Sequence, residues 1–570
     1  MQKLSQLKLR HTMMSSTCIN IILGLALLPT LILAIDVKVQ PHILFILADD
    51  LGWNDVSWNN PDIKMPTLDK LARKGVILNS SYVQPTCSPS RGALMTGYYP
   101  YHIGMQHGIV KKYQPKFMPK DKETLPEALK KVGYATHMVG KWHLGFCNWN
   151  YTPTYRGFDS FYGFYSGAQN YYTHKHYGGY DFRFNKTVHH PPKMRYSTAL
   201  FGRRAADIIL EHDPDSQPLF LYLSFQGVHT PLQVPKKYSN QYSHIKNKNR
   251  RIYSGMITAM DDAVSLVMRA FQKKQYMDNL LVVFTSDNGG ASYIAGSNWP
   301  LRGSKATVWE GGTRVPTFIY SKSLLKKTGI TQNGLVHVTD WVPTLVRLAG
   351  GQTSPFLDGI DQWLTLSRGW PSPRHEFVYN INDVKRTAAI RSGDYKLIVG
   401  SPGRYNNWYP AKTKPACNSK EARQGYMFED RQLKHDDQMD IKEQKSLQGW
   451  WFTSPLRYIR GFAHKAVEVS GASKAWQSMG KWYEQYRCDR FMKAHDREEK
   501  ALKPPSVQLF NLKDDPLEKN NIAAQKPVLL KKLMRKLKAY KKTLVKAQNQ
   551  PHTKLAHPKN YDNIWSPGWC

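Results

Sequence analysis

Four features of this 570-residue chain, the first made of two short stretches, hold side chains whose types and spacing suit chemistry. Asp49-Asp50 and Asp287-Asn288 each set hard oxygen donors side by side, and each pair follows an apolar run of strand length. Carboxylate and amide oxygens suit Ca²⁺ or Mg²⁺ better than Zn²⁺. Adjacent aspartates are also common in turns, so the argument for a metal rests on the pairing recurring at two strand ends. The second stretch, Pro85-Thr86-Cys87-Ser88-Pro89-Ser90-Arg91-Gly92-Ala93-Leu94-Met95-Thr96-Gly97, sets a cysteine four positions before an arginine. A guanidinium near the sulfur can hold a tetrahedral oxyanion with its planar fork. The spacing is too short for the Cys-x5-Arg loop of thiol phosphatases. In the third, Gly133-Tyr134-Ala135-Thr136-His137-Met138-Val139-Gly140-Lys141-Trp142-His143-Leu144-Gly145, Lys141 brings positive charge and His143 a group that moves protons near neutrality. Leu301-Arg302-Gly303-Ser304-Lys305, followed by Trp309-Glu310-Gly311-Gly312, adds a second ammonium at Lys305. A metal, Arg91, Lys141 and Lys305 in one place would neutralise an anionic ester and the charge that develops as it is transferred. The chemistry expected is oxyanion transfer.

Such residues meet only if the chain carries them to one edge of a sheet. The runs His42–Ala48, Tyr134–Val139, Pro218–Phe225 and Leu280–Ser286 read as strands, the first apolar enough to be covered on both faces. Helices are expected from Thr67 to Lys74, ending at Gly75, and from Ser254 to Gln272. Another is expected from Thr124, where Glu127 completes a capping box and Gly133 can take the left-handed stop. The alternation is that of an α/β fold. Asp49-Asp50, His229 and Asp287-Asn288 each follow a strand, and ligands of open α/β sheets bind beyond the carboxyl ends of the strands. From about residue 376 the texture changes. Two short strands are expected in 384–399 about the turn Ser392-Gly393-Asp394, and a basic helix from Val528 to Lys546 with Leu530, Leu533, Leu537, Tyr540 and Leu544 on one face. The expected organisation is a leader at 1–34, a catalytic domain at 35–375 and a smaller C-terminal α+β domain at 376–570. Residues 412–500 carry charge and aromatics without assignable periodicity.

Lys3, Lys8 and Arg10 precede an apolar run from Ile19 to Ile35, the order of a signal peptide cut near Ala34. A membrane anchor is the less favoured reading of that run. The chain has 80 Lys and Arg against 43 Asp and Glu, a formal +37, and losing the three basic residues of the leader lowers this by three to +34. That field attracts polyanions such as nucleic acid, acidic membrane or sulfated polysaccharide, but nothing resembles a nucleic-acid-binding module. Asn79, Asn150 and Asn185 head sequons for glycosylation in the secretory route. With Cys18 in the leader and Cys87 claimed for chemistry, Cys147, Cys417, Cys488 and Cys570 allow three disulfide pairings.

The strings around Cys87 and His143 resemble the two signature patterns of the sulfatase family, with Asp49-Asp50, Asp287-Asn288-Gly289-Gly290 and Lys305 in the expected order. Within the family the strings resemble the arylsulfatase B (N-acetylgalactosamine-4-sulfatase) branch. Gln508-Leu509-Phe510-Asn511-Leu512-Lys513-Asp514-Asp515-Pro516 looks like the family's C-terminal strand and turn. The resemblance implies an alkaline-phosphatase-like core with a large mixed sheet flanked by helices. It also implies one Ca²⁺ held by Asp49, Asp50, Asp287, Asn288 and the side chain at Cys87. Cys87 itself would be oxidised to formylglycine by the formylglycine-generating enzyme. Arg91, Lys141 and His143 would position and deprotonate the aldehyde hydrate, and His229 and Lys305 would bind sulfate and protonate the leaving oxygen. The implied substrates are 4-sulfated N-acetylgalactosamine ends of dermatan or chondroitin sulfate, in a lysosomal or extracellular setting. Two other functions compete: a phosphomonoesterase or phosphonate hydrolase on the same core, and a catalytically silent secreted binder of sulfated polysaccharide.

Overall fold

The computed structural model of the chain describes residues 40–192, 195–213, 216–411 and 505–570. The expected leader and the stretch 412–500 lie outside the described residues. Pro41–Cys570 forms one unit by its contacts.

Ten strands make the main sheet: β1 (His42–Ala48), β2 (Val76–Leu78), β3 (Ala135–Lys141), β4 (Ser160–Phe164), β5 (Arg183–Phe184), β6 (Thr187–Val188), β7 (Leu219–Ser224), β8 (Leu280–Ser286), β9 (Phe318–Tyr320) and β10 (Ile330–Gln332). They lie in the order β10-β2-β9-β8-β1-β7-β3-β4-β5-β6. The central run β8-β1-β7-β3-β4 is parallel, and antiparallel pairs enter at β9 and β5, so the sheet is mixed.

Six helices cover both faces: α1 (Pro66–Lys74), α2 (Cys87–Thr96), α3 (Leu125–Lys131), α4 (Ser197–Glu211), α5 (Lys248–Lys273) and α6 (Trp341–Leu348). Alternate residues of β1 therefore serve two cores. Ile43, Phe45 and Leu47 pack with Leu94 of α2, Leu129 of α3 and Trp341 of α6. Leu44, Ile46 and Ala48 pack with Leu68 of α1, Phe201 of α4 and Met260 of α5. That double burial is why β1 reads as unbroken apolarity. At about 1.5–3 kcal/mol for each fully buried large apolar side chain, it also anchors whatever stands at the strand's end.

The local signals act much as their chemistry predicts. Thr124 accepts from the Glu127 amide at 3.4 Å, the Glu127 carboxylate accepts from the Thr124 amide at 2.7 Å, and Gly133 has φ +90°. α5 opens at Lys248, six residues before the expected Ser254, because Asn247 caps the Arg250 amide at 3.0 Å and the buried Arg250 side chain pairs with Asp55.

The smaller sheet is antiparallel, β11 (Glu376–Asn382), β12 (Thr387–Ser392), β13 (Tyr395–Val399) and β14 (Val507–Asn511), in that order. α7 (Pro527–Lys541) lays Leu533 and Leu537 on it, with Leu530, Tyr540 and Leu544 half-buried beside them. The helix stops short of the expected Lys546, because the chain leaves to pair with the larger unit: the Val545 amide donates to Tyr101 O at 2.8 Å. The tail then runs to Cys570, which is disulfide-bonded to Cys147, while Cys417 and Cys488 lie outside the described residues. No described helix is long and apolar enough to cross a membrane.

Candidate active site

Four parallel strands end at one place. Asp49-Asp50 follow β1, Lys141 closes β3 with His143 two residues on, His229 follows β7, and Asp287-Asn288 follow β8. Cys87 reaches the same place as the first residue of α2, whose ten residues are all buried. The helix N-terminus turns its positive end toward the Cys87 side chain.

Cys87 Sγ stands 3.5 Å from Asp49 Oδ1 and 3.9 Å from Asp50 Oδ1. Donor atoms of Asp49, Asp50, Cys87 and His229 lie within 4.8 Å of one another, a grouping that can hold a metal ion. Asn288 donates to Asp50 Oδ1 at 2.7 Å, and its own Oδ1 is buried with no hydrogen-bond partner. The Asp50 amide donates to Asp287 Oδ1 at 3.3 Å, so all four expected oxygen donors converge. His229 joins that cluster as well, its Nε2 3.7 Å from Asp50 Oδ2.

The cations interleave with these acids. Arg91 Nε donates to Asp287 Oδ2 at 2.9 Å, and its Nη1 donates to Ser224 Oγ at 2.7 Å and to Lys141 O at 3.2 Å. Lys141 pairs with Asp49, and Lys305 Nζ lies 2.9 Å from Asp50 Oδ2. Three acidic side chains thus face one arginine and two lysines, and a divalent ion added to the set would leave the site positive toward an anionic ester.

His143 is seated with care. Its φ is +59° and its Nε2 bonds Val110 O at 3.1 Å, which leaves Nδ1 buried without a partner. The Val110 amide is in turn held by Ser88 Oγ at 3.0 Å. A Cβ at Gly167 would sit 2.6 Å from Nε2, so only glycine leaves room for the ring. Burial, then the charges of Lys141 and Arg91, hold the imidazole well below its ordinary value. It is therefore neutral, with Nε2–H donating and Nδ1 open to accept a proton. Burial and the Asp287 carboxylate push the Cys87 thiol well above its ordinary value. An unmodified Cys87 stays protonated and is a weak nucleophile.

Sequence reasoning did not find Ser224, Ser88, Gly167 or the brace under Asp50. Tyr253 OH donates to Asp50 O at 2.9 Å and is 2.9 Å from Asp55 Oδ2, fixing the aspartate at φ +60°. Among the sequon residues, Asn150 is exposed, Asn79 uses its Nδ2 to reach Asn333 at 2.7 Å, and Asn185 accepts from the Phe161 amide at 2.8 Å. The site opens into a cavity of about 540 Å³ whose walls include Cys87, His143, His229 and Lys305.

A three-layer α/β unit with an acid cluster, a helix-borne cysteine and converging cations at the strand ends defines a hydrolase of anionic esters. Residues 41–351 match the Sulfatase family. Arylsulfatase J of Mus musculus is 37% identical over 554 residues, 93% of this chain and 80% of that protein. N-acetylgalactosamine-6-sulfatase of Mus musculus is 30% identical over 401 residues, 64% of this chain and 73% of that protein. The solved structure of Ps i-CgsB superposes with a TM-score of 0.66 at 25% identity, covering 92% of this chain and 96% of that one. The chain belongs to the sulfatase family and is a sulfuric ester hydrolase.

Proposed function

We propose that the chain removes sulfate from 4-sulfated N-acetylgalactosamine of dermatan or chondroitin sulfate, using a formylglycine made from Cys87 and a bound Ca²⁺. The observation that carries this reading is the placement of Cys87 at once against Asp49 and Asp50 and among Arg91, Lys141 and Lys305. The donor set fits calcium: it is rich in hard oxygen, and Asn288 Oδ1 is a buried acceptor with nothing else to bind. Asp49, Asp50, Asp287 and Asn288 would hold the ion, which supplies Lewis-acid polarisation and charge neutralisation. The converted Cys87 supplies a hydroxyl nucleophile, splitting one difficult hydrolysis into two easier steps.

The remaining work falls to side chains in place. Arg91, locked by Asp287 and Ser224, and Lys141, locked on Asp49, orient the nucleophile and the sulfate oxygens. His143 accepts a proton at Nδ1. His229 has Nδ1 bonded to Thr230 O at 2.8 Å, so in its charged form it offers a proton from Nε2 to the leaving oxygen, with Lys305 beside it. The 4-sulfate choice draws on the resemblance to the arylsulfatase B branch and on a basic surface that gathers polyanions. The Cys147–Cys570 disulfide suits an oxidising compartment, as a secreted or lysosomal protein requires.

Aryl sulfate and aryl phosphate compared at equal concentration test the chemistry, and 4-sulfated against 6-sulfated N-acetylgalactosamine tests the sugar. Sulfate and 4-sulfate preference is expected. Phosphate preference would overturn the chemistry, and 6-sulfate preference the sugar.

A further inference from the structure

The cavity above Cys87 has a wall that the catalytic reading leaves unused. Among the described residues that line it, Lys111, Lys112, Lys385 and Arg404 join Lys305, and there is no aspartate or glutamate. Lys385 comes from the hairpin between β11 and β12 and Arg404 from the loop after β13, and both are exposed. Two turns of the smaller sheet thus carry cations over the mouth of a site built by the larger one.

Lys385 and Arg404 line the same cavity, and the surrounding protein, then the Arg404 guanidinium, lowers the Lys385 ammonium from its ordinary value. Like charges repel, so the loops must hold them there, and they are tied at several points. Arg302 Nε donates to Asn406 O at 2.6 Å, Trp309 Nε1 to Asn406 Oδ1 at 2.9 Å, and the Val308 amide to Pro402 O at 2.9 Å. The Tyr405 ring stacks on Tyr293 with centroids 4.4 Å apart. The Lys385 amide donates to Asn382 Oδ1 at 2.9 Å, fixing the hairpin. Loops tied in this way carry the two cations at a cavity lined, among the described residues, by no aspartate or glutamate, which lowers the cost of ordering the loops around an anion. At about 540 Å³ the cavity is also of a size that takes a whole ligand beyond a single sulfate.

We propose that Lys385 and Arg404 form a second anion subsite, which takes a carboxylate or a second sulfate on the same saccharide whose ester is cleaved at Cys87. The inference rests on the sulfated-saccharide reading above and deepens it: the preferred substrate is a polyanionic oligosaccharide, selected by a charge other than the one removed.

The test is titration of a chondroitin 4-sulfate tetrasaccharide into wild-type protein and the Lys385→Gln/Arg404→Gln double variant, with nitrophenyl sulfate turnover measured on both. Loss of charge-assisted contacts should weaken tetrasaccharide binding by about tenfold or more, while nitrophenyl sulfate turnover stays at the wild-type level. The Lys385→Arg/Arg404→Lys exchange should keep tetrasaccharide binding. A carboxyl-reduced tetrasaccharide identifies the group read: wild-type binding that falls to the variant's level assigns the carboxylate, and wild-type binding that is retained assigns the second sulfate. Equal binding by wild type and double variant overturns the subsite, as does a parallel loss of nitrophenyl sulfate turnover. Binding needs no catalysis, so a wild-type protein that binds the tetrasaccharide through these residues yet hydrolyses no sulfate ester would sink the proposed function and leave the subsite standing.

Discussion

His143 shows how much of the site is tuning. The ring is buried, flanked by Lys141 and Arg91, and bonded at Nε2 to Val110 O, and each of these favours the neutral form with Nδ1 free. The sign follows: a histidine held below 6.5 in the fold binds its proton first in the unfolded chain, so it weakens folding as pH drops through that value and leaves stability untouched above it. Activity should therefore show no acid limb from this residue at pH 6.5 and above, where an ordinary histidine would begin to charge. His143→Gln should lower kcat by about 10²–10⁴-fold, the span of general acid–base catalysis, with the acid side of the pH profile unchanged. A variant whose acid limb disappears would contradict the neutral assignment. The sequence singled out Cys87, Arg91, Lys141, His143 and Lys305 because each sits in a short string with its own composition, and His229 because it follows an apolar run of strand length; the fold brings them to one place. Ser224 was not, since its hydroxyl matters only by meeting Arg91 across 133 residues. Gly167 was silent for the same reason, its one function being to leave space for a ring 24 positions away in the chain.

At the scale of elements, β1 and β8 were read to the residue because helices on both faces demand unbroken apolarity. β11 went unread: Glu376-Phe377-Val378-Tyr379-Asn380-Ile381-Asn382 mixes polar and apolar positions at the edge of a small sheet, and its partners come later in the chain. The join between that sheet and the larger unit was equally hidden. Glu310, noted only as part of a glycine-rich string, is buried and bonded to Tyr82 OH at 2.7 Å, Tyr379 OH at 2.8 Å and Lys396 Nζ at 3.0 Å, and Lys396 reaches Glu518 at 2.7 Å. Burial alone would push the Glu310 carboxyl up, and Lys396, Arg391 and Arg314 hold it down in the charged range. Removing the ammonium leaves two buried carboxylates facing each other, so Lys396→Ala should destabilise the protein by about 3–5 kcal/mol, read as a fall in unfolding midpoint. An unchanged midpoint would mean the network contributes nothing to the join.

Residues 565–570 return to the larger unit. Trp565 and Trp569 are buried with Phe146 in the larger core, and Cys570 is bonded to Cys147 across 423 residues of chain. Reduction, or Cys570→Ser, should lower stability by about 2–4 kcal/mol in denaturant unfolding, and no change would show that tail packing alone suffices. The arrangement was beyond sequence reading, which left three pairings among four cysteines open. The charge of the whole chain was legible as a field for polyanions, but not that Lys385 and Arg404, from segments next to the smaller sheet's strands, line the cavity above Cys87. Cleavage of a sulfuric ester by a converted Cys87 can be read by mass spectrometry of the Cys87 peptide from active protein made in a secretory host. The aldehyde mass is expected at Cys87, in proportion to aryl sulfate turnover. An unmodified thiol in fully active protein would contradict it.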